Sequence, residues 1–182
     1  MALTHVEVIV LGLLSEEPLY GYQLLERYRS RAMEHWAEAG RASVYQSLHR
    51  LDRDGLVSGR AQRGQEGPGR RVFRITRSGR DRLRQALRER FPAGGPHPAD
   101  SGLPFGFAHV LSAEEVRRGI AARDAALRER VGALREERAR LQAARGPANA
   151  LARKLLDREE AVAAAEVSWL AAFRRDVGRI RR

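Results

Sequence analysis

Gln46, His49, Arg50 and Arg53 recur at spacings of three, four and seven, which at about 100° per residue puts them on one side of a helix. Amide, imidazole and guanidinium groups donate and accept hydrogen bonds without breaking covalent bonds. Such a set reads base edges and holds phosphates. Val44, Leu48 and Leu51 form the opposite, apolar stripe that a core would bury. Tyr45 sits on the flank, where it either packs or reaches a phosphate. Ser43 is expected as the N-cap, with a backbone contact as its other possible role.

The segment after this helix positions a second set. Asp54-Gly55 ends the helix, because glycine takes the left-handed conformation of a helix C-terminus. Leu56–Gln62 and Arg70–Ile75 read as two strands around the turn-forming run Arg63-Gly64-Gln65-Glu66-Gly67-Pro68-Gly69. Arg60, Arg63, Arg70, Arg71 and Arg74 crowd this hairpin, and Arg63, Arg70 and Arg71 are the expected phosphate or minor-groove contacts. A helix followed by a basic hairpin is the form of a winged helix-turn-helix, with double-stranded DNA as the expected partner.

Charge is distributed accordingly. The 182 residues carry a net +11, but residues 41–90 hold 14 arginines against 5 acids, a net +9, while residues 1–40 hold 3 arginines against 6 glutamates. The positive field belongs to the helix and hairpin. Lys154 is the only lysine, so nearly every cation is a planar fork suited to bidentate contact. Clustering is the stronger signal, since a chain-wide preference for arginine also follows from genomic base composition.

The composition excludes other classes. Without cysteine there are no disulfides or thiolate metal sites, and the five scattered histidines lack ligand spacing, so no metal and no cofactor is expected. No nucleophile elbow or phosphate-binding glycine loop is present, and no catalytic residue is assigned. Val6–Leu14 is too short to span a bilayer and lacks the flanks of a signal peptide. The expectation is a cytoplasmic protein that is not an enzyme.

Thr4 and Glu7 form a capping box opening a first helix over about His5–Ser15. Val6, Ile9, Val10, Leu13 and Leu14 cover much of its circumference, so it is buried in the core or partly against another subunit. Gly21–Tyr28 continues as a second helix with Tyr22, Leu25 and Tyr28 near one face. Thr76 caps a fourth over about Arg77–Arg90. Phe91–Pro104, with four of the seven prolines, reads as a linker. The expected domains are 1–90, a linker at 91–111, and 112–182.

Pro18-Leu19-Tyr20-Gly21-Tyr22-Gln23-Leu24, Ser43-Val44-Tyr45-Gln46-Ser47-Leu48-His49-Arg50-Leu51 with Gly55-Leu56-Val57, and Val72-Phe73-Arg74-Ile75-Thr76-Arg77-Ser78-Gly79 resemble, in order and spacing, the PadR family of transcriptional regulators. Phe73 stands where that family commonly has tyrosine. The resemblance implies a winged helix over residues 3–90 and, commonly, repression. Leu103-Pro104-Phe105-Gly106, Leu111-Ser112-Ala113-Glu114-Glu115 and Trp169-Leu170 look like the members with a long C-terminal domain.

Ser112–Glu115 is a second capping box, opening a helix to about Arg145 in which Ile120, Leu127, Leu134 and Leu141 repeat every seven residues. Asp124 and Arg138 interrupt the second column of that seam. A last helix from about Ala148 carries Leu151, Leu155, Val162, Trp169, Phe173 and Ile180 along one face. Two long helices in antiparallel contact are expected.

The resemblance implies that these helices make a homodimer, partly by embracing the partner's first helix. It assigns dimerisation to Val6, Ile9, Val10 and Leu13 with Ile120, Leu127, Leu134, Val162, Trp169 and Phe173. Some members bind phenolic acids or drugs at the dimer interface, which makes Trp169, Phe105 and Phe107 candidate contacts of a small aromatic effector. Core anchoring is the competing role of these rings. The fold class expected is mainly α with a small β-hairpin: an N-terminal winged helix-turn-helix and a C-terminal antiparallel long-helix dimerisation domain. The rival reading is a winged-helix adaptor that binds protein or RNA without sequence-specific DNA recognition.

Overall fold

The structure is a computed structural model and describes residues 2–37, 39–62, 70–93, 101–142 and 146–180. The chain divides into two compact units, Met1–Ser112 and Ala113–Arg182.

In the first unit, α1 (His5–Leu14) is buried along its whole length from Val6 onward. The Thr4 hydroxyl accepts the Glu7 N–H while the Glu7 carboxylate accepts the Thr4 N–H at 2.8 Å, so the capping box forms as expected. Around α1 pack α2 (Gly21–Ser30), α3 (Arg41–Arg53), α4 (Arg77–Ala93), α5 (Leu103–Gly106) and a hairpin of β2 (Val57–Gln62) and β3 (Arg70–Ile75). Gly55, at φ +69°, turns the chain from α3 into the hairpin. The Thr76 hydroxyl accepts the Gly79 N–H at 3.0 Å at the start of α4.

Four expectations are corrected. Residues Leu19–Tyr20 form a short strand, β1, that pairs antiparallel with β3, giving the order β1-β3-β2. Two residues are too few for a periodic signal. In α2 the buried residues are Leu24 and Tyr28, while Tyr22 is 43% exposed. Helix α3 begins at Arg41 with Gly40 as N-cap, so Ser43 lies in the first turn. The Tyr28 hydroxyl accepts the Ala39 N–H at 3.0 Å and pins the chain just ahead of α3, an anchor 11 residues away in sequence.

The fourth correction concerns the linker. α4 runs on to Ala93 through Pro92, and Phe91, Leu103, Phe107 and Leu111 are all buried within 2% exposure. The Phe107 ring lies so close to Gly12 that a methyl there would come within 2.5 Å of it. The part of 91–111 that is described is core of the first unit, and Gly12 is the small residue that admits it. Residues 94–100 lie outside the described residues.

The second unit is an antiparallel pair, α6 (Ala113–Gln142) and α7 (Pro147–Ile180). Their register is marked by Arg123–Glu166 at 2.6 Å, Arg130–Glu159 at 2.8 Å, Arg135–Glu160 at 2.6 Å and Arg138–Asp157 at 3.3 Å. It sets Ile120, Leu127 and Leu134 level with Leu170, Ala163 and Leu156. Arg138 interrupts the apolar seam because it belongs to this ionic row, and Asp124 pairs with Arg128 on its own helix. The face of α7 expected to meet α6 points elsewhere: Leu151, Leu155, Val162 and Trp169 are 67%, 63%, 53% and 46% exposed, while Ala163 and Leu170 are buried.

A methyl at Gly79 would come within 2.0 Å of the Leu56 carbonyl oxygen, whereas at Gly132, in α6, it would meet nothing within 4 Å. Gly79→Ala is therefore expected to lose about 2 kcal/mol or more, since neither backbone can yield. Gly132→Ala is expected to gain about 0.5–1 kcal/mol. Urea denaturation of the two variants checks the opposite signs.

Glu16 ties the end of α1 to Arg31 in a two-pronged ion pair and to His109 Nε2 at 3.5 Å. Partial burial pushes its carboxyl up, but the hydrogen bonds and charge of Arg31, with His109 and Arg27, hold it below the ordinary 4.5. A folded-state value depressed in this way adds stability at neutral pH, which is lost as pH falls through it. Glu16→Gln is expected to lower the melting temperature at pH 7 and to flatten its fall below about pH 4.5; parallel curves would refute this.

Candidate nucleic-acid interface

Helix α3 has two unlike faces. Val44, Ser47, Leu48 and Leu51 are buried toward α1 and the hairpin base. Ala42, Ser43, Gln46, His49 and Arg53 are exposed, and Gln46, His49 and Arg53 make a continuous stripe at spacings of three and four. Tyr45 is half-buried, its ring resting on Gly21 at the start of α2.

Arg50, expected on the reading face, has a partner within the fold. Its Nη1 donates to Glu7 Oε1 on α1 at 3.2 Å, and the Glu7 side chain is only 6% exposed. The Arg50 side chain thus holds α3 to α1 through one nitrogen while remaining 40% exposed beside the stripe. Sequence spacing placed Arg50 with Gln46 and Arg53. Glu7 captures it across 43 residues, a partner no local pattern reveals.

Strand alternation sorts the hairpin arginines. Arg71 shares a face with the buried Phe73, and its guanidinium sits 5.4 Å from the centre of that ring. Its Nη2 donates to Asp52 Oδ2 at 2.9 Å and to the Gly59 carbonyl at 3.1 Å. Arg71, expected as a phosphate contact, is therefore engaged within the fold while its side chain stays 47% exposed. Arg60 pairs with Val72, and Arg74 with Ser58, on the other face, where both arginines are exposed. They were not among the expected contacts, although the period of two in Arg70–Ile75 separates them from Arg71. Arg70 belongs to β3 by its backbone; its side chain and all of Arg63 lie outside the described residues.

Between the start of α2, α3 and β3 lies an open, mainly apolar groove of about 290 Å³ edged by Tyr22, Tyr45, His49, Arg71 and Phe73. Tyr20 and Tyr22 stack at 5.7 Å beside it. None of this constellation was singled out by sequence as a pocket.

The other expected sites separate. Val6, Ile9, Val10 and Leu13 are within 6% exposure and enclosed by elements of their own unit, which corrects their assignment to a dimer contact. Ile120 and Leu127 are buried and Leu134 half-buried on α6. Val162 and Trp169 are exposed on α7, with Trp169 stacked on the half-buried Phe173 at 5.2 Å. Phe105 meets Phe91 edge-on at 5.2 Å. Phe107 is fully buried and is a core anchor, not the wall of a ligand site.

Removing Arg50 leaves the Glu7 carboxylate nearly buried with only the Thr4 N–H. Arg50→Ala is expected to cost about 1–3 kcal/mol. Glu7→Gln combined with Arg50→Ala is expected to recover part of that loss. Urea midpoints for the two single variants and the double variant measure the coupling, and additive effects would show the pair to be idle.

Residues 10–85 match the model of the Transcriptional regulator PadR-like family. No curated protein matches the chain. Among solved structures, Bacillus subtilis PadR in complex with operator DNA is 20% identical, with 91% of this chain and 95% of that one covered at a TM-score of 0.44. The same protein in complex with p-coumaric acid gives 18% identity, 96% and 99% coverage and a TM-score of 0.41. A PadR family transcription regulator from Clostridium difficile R20291 is 22% identical over 48% of this chain and 88% of its own, at a TM-score of 0.41. The family resemblance read from the sequence is thus matched over residues 10–85, the stretch that holds the exposed face of α3 and the hairpin, by the model of the PadR-like transcriptional regulators.

Proposed function

We propose that this protein is a homodimeric transcriptional repressor that binds duplex DNA through α3 and the hairpin and is released by a small aromatic effector. The observation that carries the reading is the exposed stripe Gln46, His49 and Arg53 on a helix whose opposite face is buried. Amide and guanidinium groups so placed make bidentate contacts to adenine and guanine edges in a major groove. Arg41 at the start of α3 and Arg60, Arg74 and Arg77 on neighbouring elements are exposed and supply the phosphate attraction that sets affinity. The family model that residues 10–85 match is one of transcriptional regulators, which supports regulation by binding over catalysis.

The outward strip Leu151, Leu155, Val162 and Trp169 supports the dimer, because a run of large apolar side chains on a 34-residue helix calls for a covering surface. A second copy offers the same strip. The Trp169–Phe173 stack on α7 supports a flat aromatic effector at that interface, where binding that favours one dimer geometry would release DNA. Leu155→Glu and Val162→Glu are expected to yield monomer by sedimentation velocity. Dimer retained in both would overturn this use of α7.

Selection from a random duplex pool is expected to return a palindrome with half-sites about one helical turn apart. Gln46→Ala and His49→Ala are each expected to reduce the preference for that duplex over an unrelated one by about tenfold. Arg74→Ala is expected to weaken both duplexes alike and to reduce the salt slope by about one. A steep salt slope without any preferred sequence would favour an adaptor instead.

A further inference from the structure

We propose that Asp52 is a positioning residue for DNA recognition: it fixes the hairpin against α3 and withholds Arg71 from phosphate. The proposal rests on the DNA-binding function proposed for α3 and the hairpin. Asp52 lies in the last full turn of α3, and its two carboxylate oxygens serve different strands. Oδ1 accepts the Gly59 N–H of β2 at 2.9 Å, and Oδ2 accepts Arg71 Nη2 of β3 at 2.9 Å. The same Arg71 nitrogen donates to the Gly59 carbonyl at 3.1 Å, closing a ring of three residues from three elements.

At its base the hairpin is held by the buried Val57 and Phe73 and by the Leu56 N–H on the Leu51 carbonyl at 2.9 Å, and the clasp adds a polar tie further along both strands. The hairpin's covalent link to α3 is a turn through Gly55, whose positive φ fits it to bend, and β1 supplies only two residues on the far side of β3. Packing holds the base of the hairpin, and the clasp is the directional tie from α3 that reaches both strands beyond it. The Asp52 side chain is 21% exposed and the Arg71 side chain 47%, so the pair sits at the margin where phosphate competes for the guanidinium. With the carboxylate present, the hairpin presents one cation fewer and a fixed orientation.

Losing a clasp differs from losing stability. Destabilisation lowers affinity for every duplex in parallel. Releasing the clasp lets the hairpin drift, which erodes sequence preference, and frees Arg71, which strengthens attraction to any polyanion.

The test uses the full chain with Asp52→Ala, Asp52→Asn and Asp52→Ala combined with Arg71→Ala, each titrated across a salt series. The probes are the duplex selected by the unsubstituted protein and an unrelated duplex of equal length. Asp52→Ala is expected to bind the selected duplex about tenfold more weakly while binding the unrelated duplex equally or up to about threefold more tightly. Its salt slope should steepen by about 0.9, and the added Arg71→Ala should abolish that steepening without restoring preference.

Asp52→Asn keeps an acceptor for Gly59 and loses the ion pair, so it should steepen the slope with a smaller loss of preference; it carries the test if the alanine variant does not fold. Without DNA, the Gly59 amide should exchange about tenfold faster in Asp52→Ala, with the Leu11 and Leu48 amides unchanged. Parallel loss on both duplexes, an unchanged salt slope, or unchanged Gly59 exchange overturns the proposal. A protein that selects no duplex refutes the DNA reading instead, and Gly59 exchange with the salt slope on heparin then decides whether the clasp exists.

Discussion

Helix α1 has apolar side chains on every side, and enclosing it is the constraint on which the architecture of the first unit depends. Val8, Val10 and Leu11 are wholly inaccessible, and Ile9, Leu13 and Leu14 nearly so. A ten-residue helix that must shed water around its whole circumference needs neighbours all round. α2, α3, α4, α5 and β3 supply them. Each then has one face turned inward, so the polar side of α3 has nowhere to go but the surface. The reading face is exposed because its opposite face is committed to α1.

Polar groups set what apolar packing leaves free. Apolar packing holds α3 against α1, α2 and β2, and Arg50 bonded to Glu7 adds a directional tie between α3 and α1. Asp52 joins α3 to both strands of the hairpin. Thr76 N–H donates to the Leu56 carbonyl at 3.1 Å, which anchors the end of β3 to the start of the hairpin before α4 begins. Arg50 and Arg71 of the basic window are thus tied into the fold, and Arg90 is buried with its guanidinium on the Leu3 and Ala86 carbonyls, which separates the charge of the module from the charge it can offer a polyanion.

In the second unit, α7 has two apolar faces with different fates. Leu156, Ala163 and Leu170, seven apart, lie on the side that meets α6. Leu151, Leu155, Val162 and Trp169 remain exposed. The ionic row between the helices contributes little energy pair by pair, since most of its members are solvated. Its effect is on register, because a shift along the helix would set like charges against each other. Arg123 is the exception in burial, at 12% exposure against Glu166.

Local patterns in the chain were enough to place most of the elements and to assign the apolar and polar sides of α3. The capping box at Thr4, the Gly55 stop, the Thr76 cap and the periodicity of Val44, Leu48 and Leu51 each act over a few residues of chain, so neighbours in sequence determine them. The folded molecule was needed for the partners reached across distance. Glu7 claims Arg50, Asp52 claims Arg71, Tyr28 sets the start of α3 through Ala39, and Phe107 enters the core at Gly12. Charge in a sequence can be counted by position, but whether a cation faces solvent or closes an internal ion pair depends on which element packs against it. Only the tertiary structure decides that.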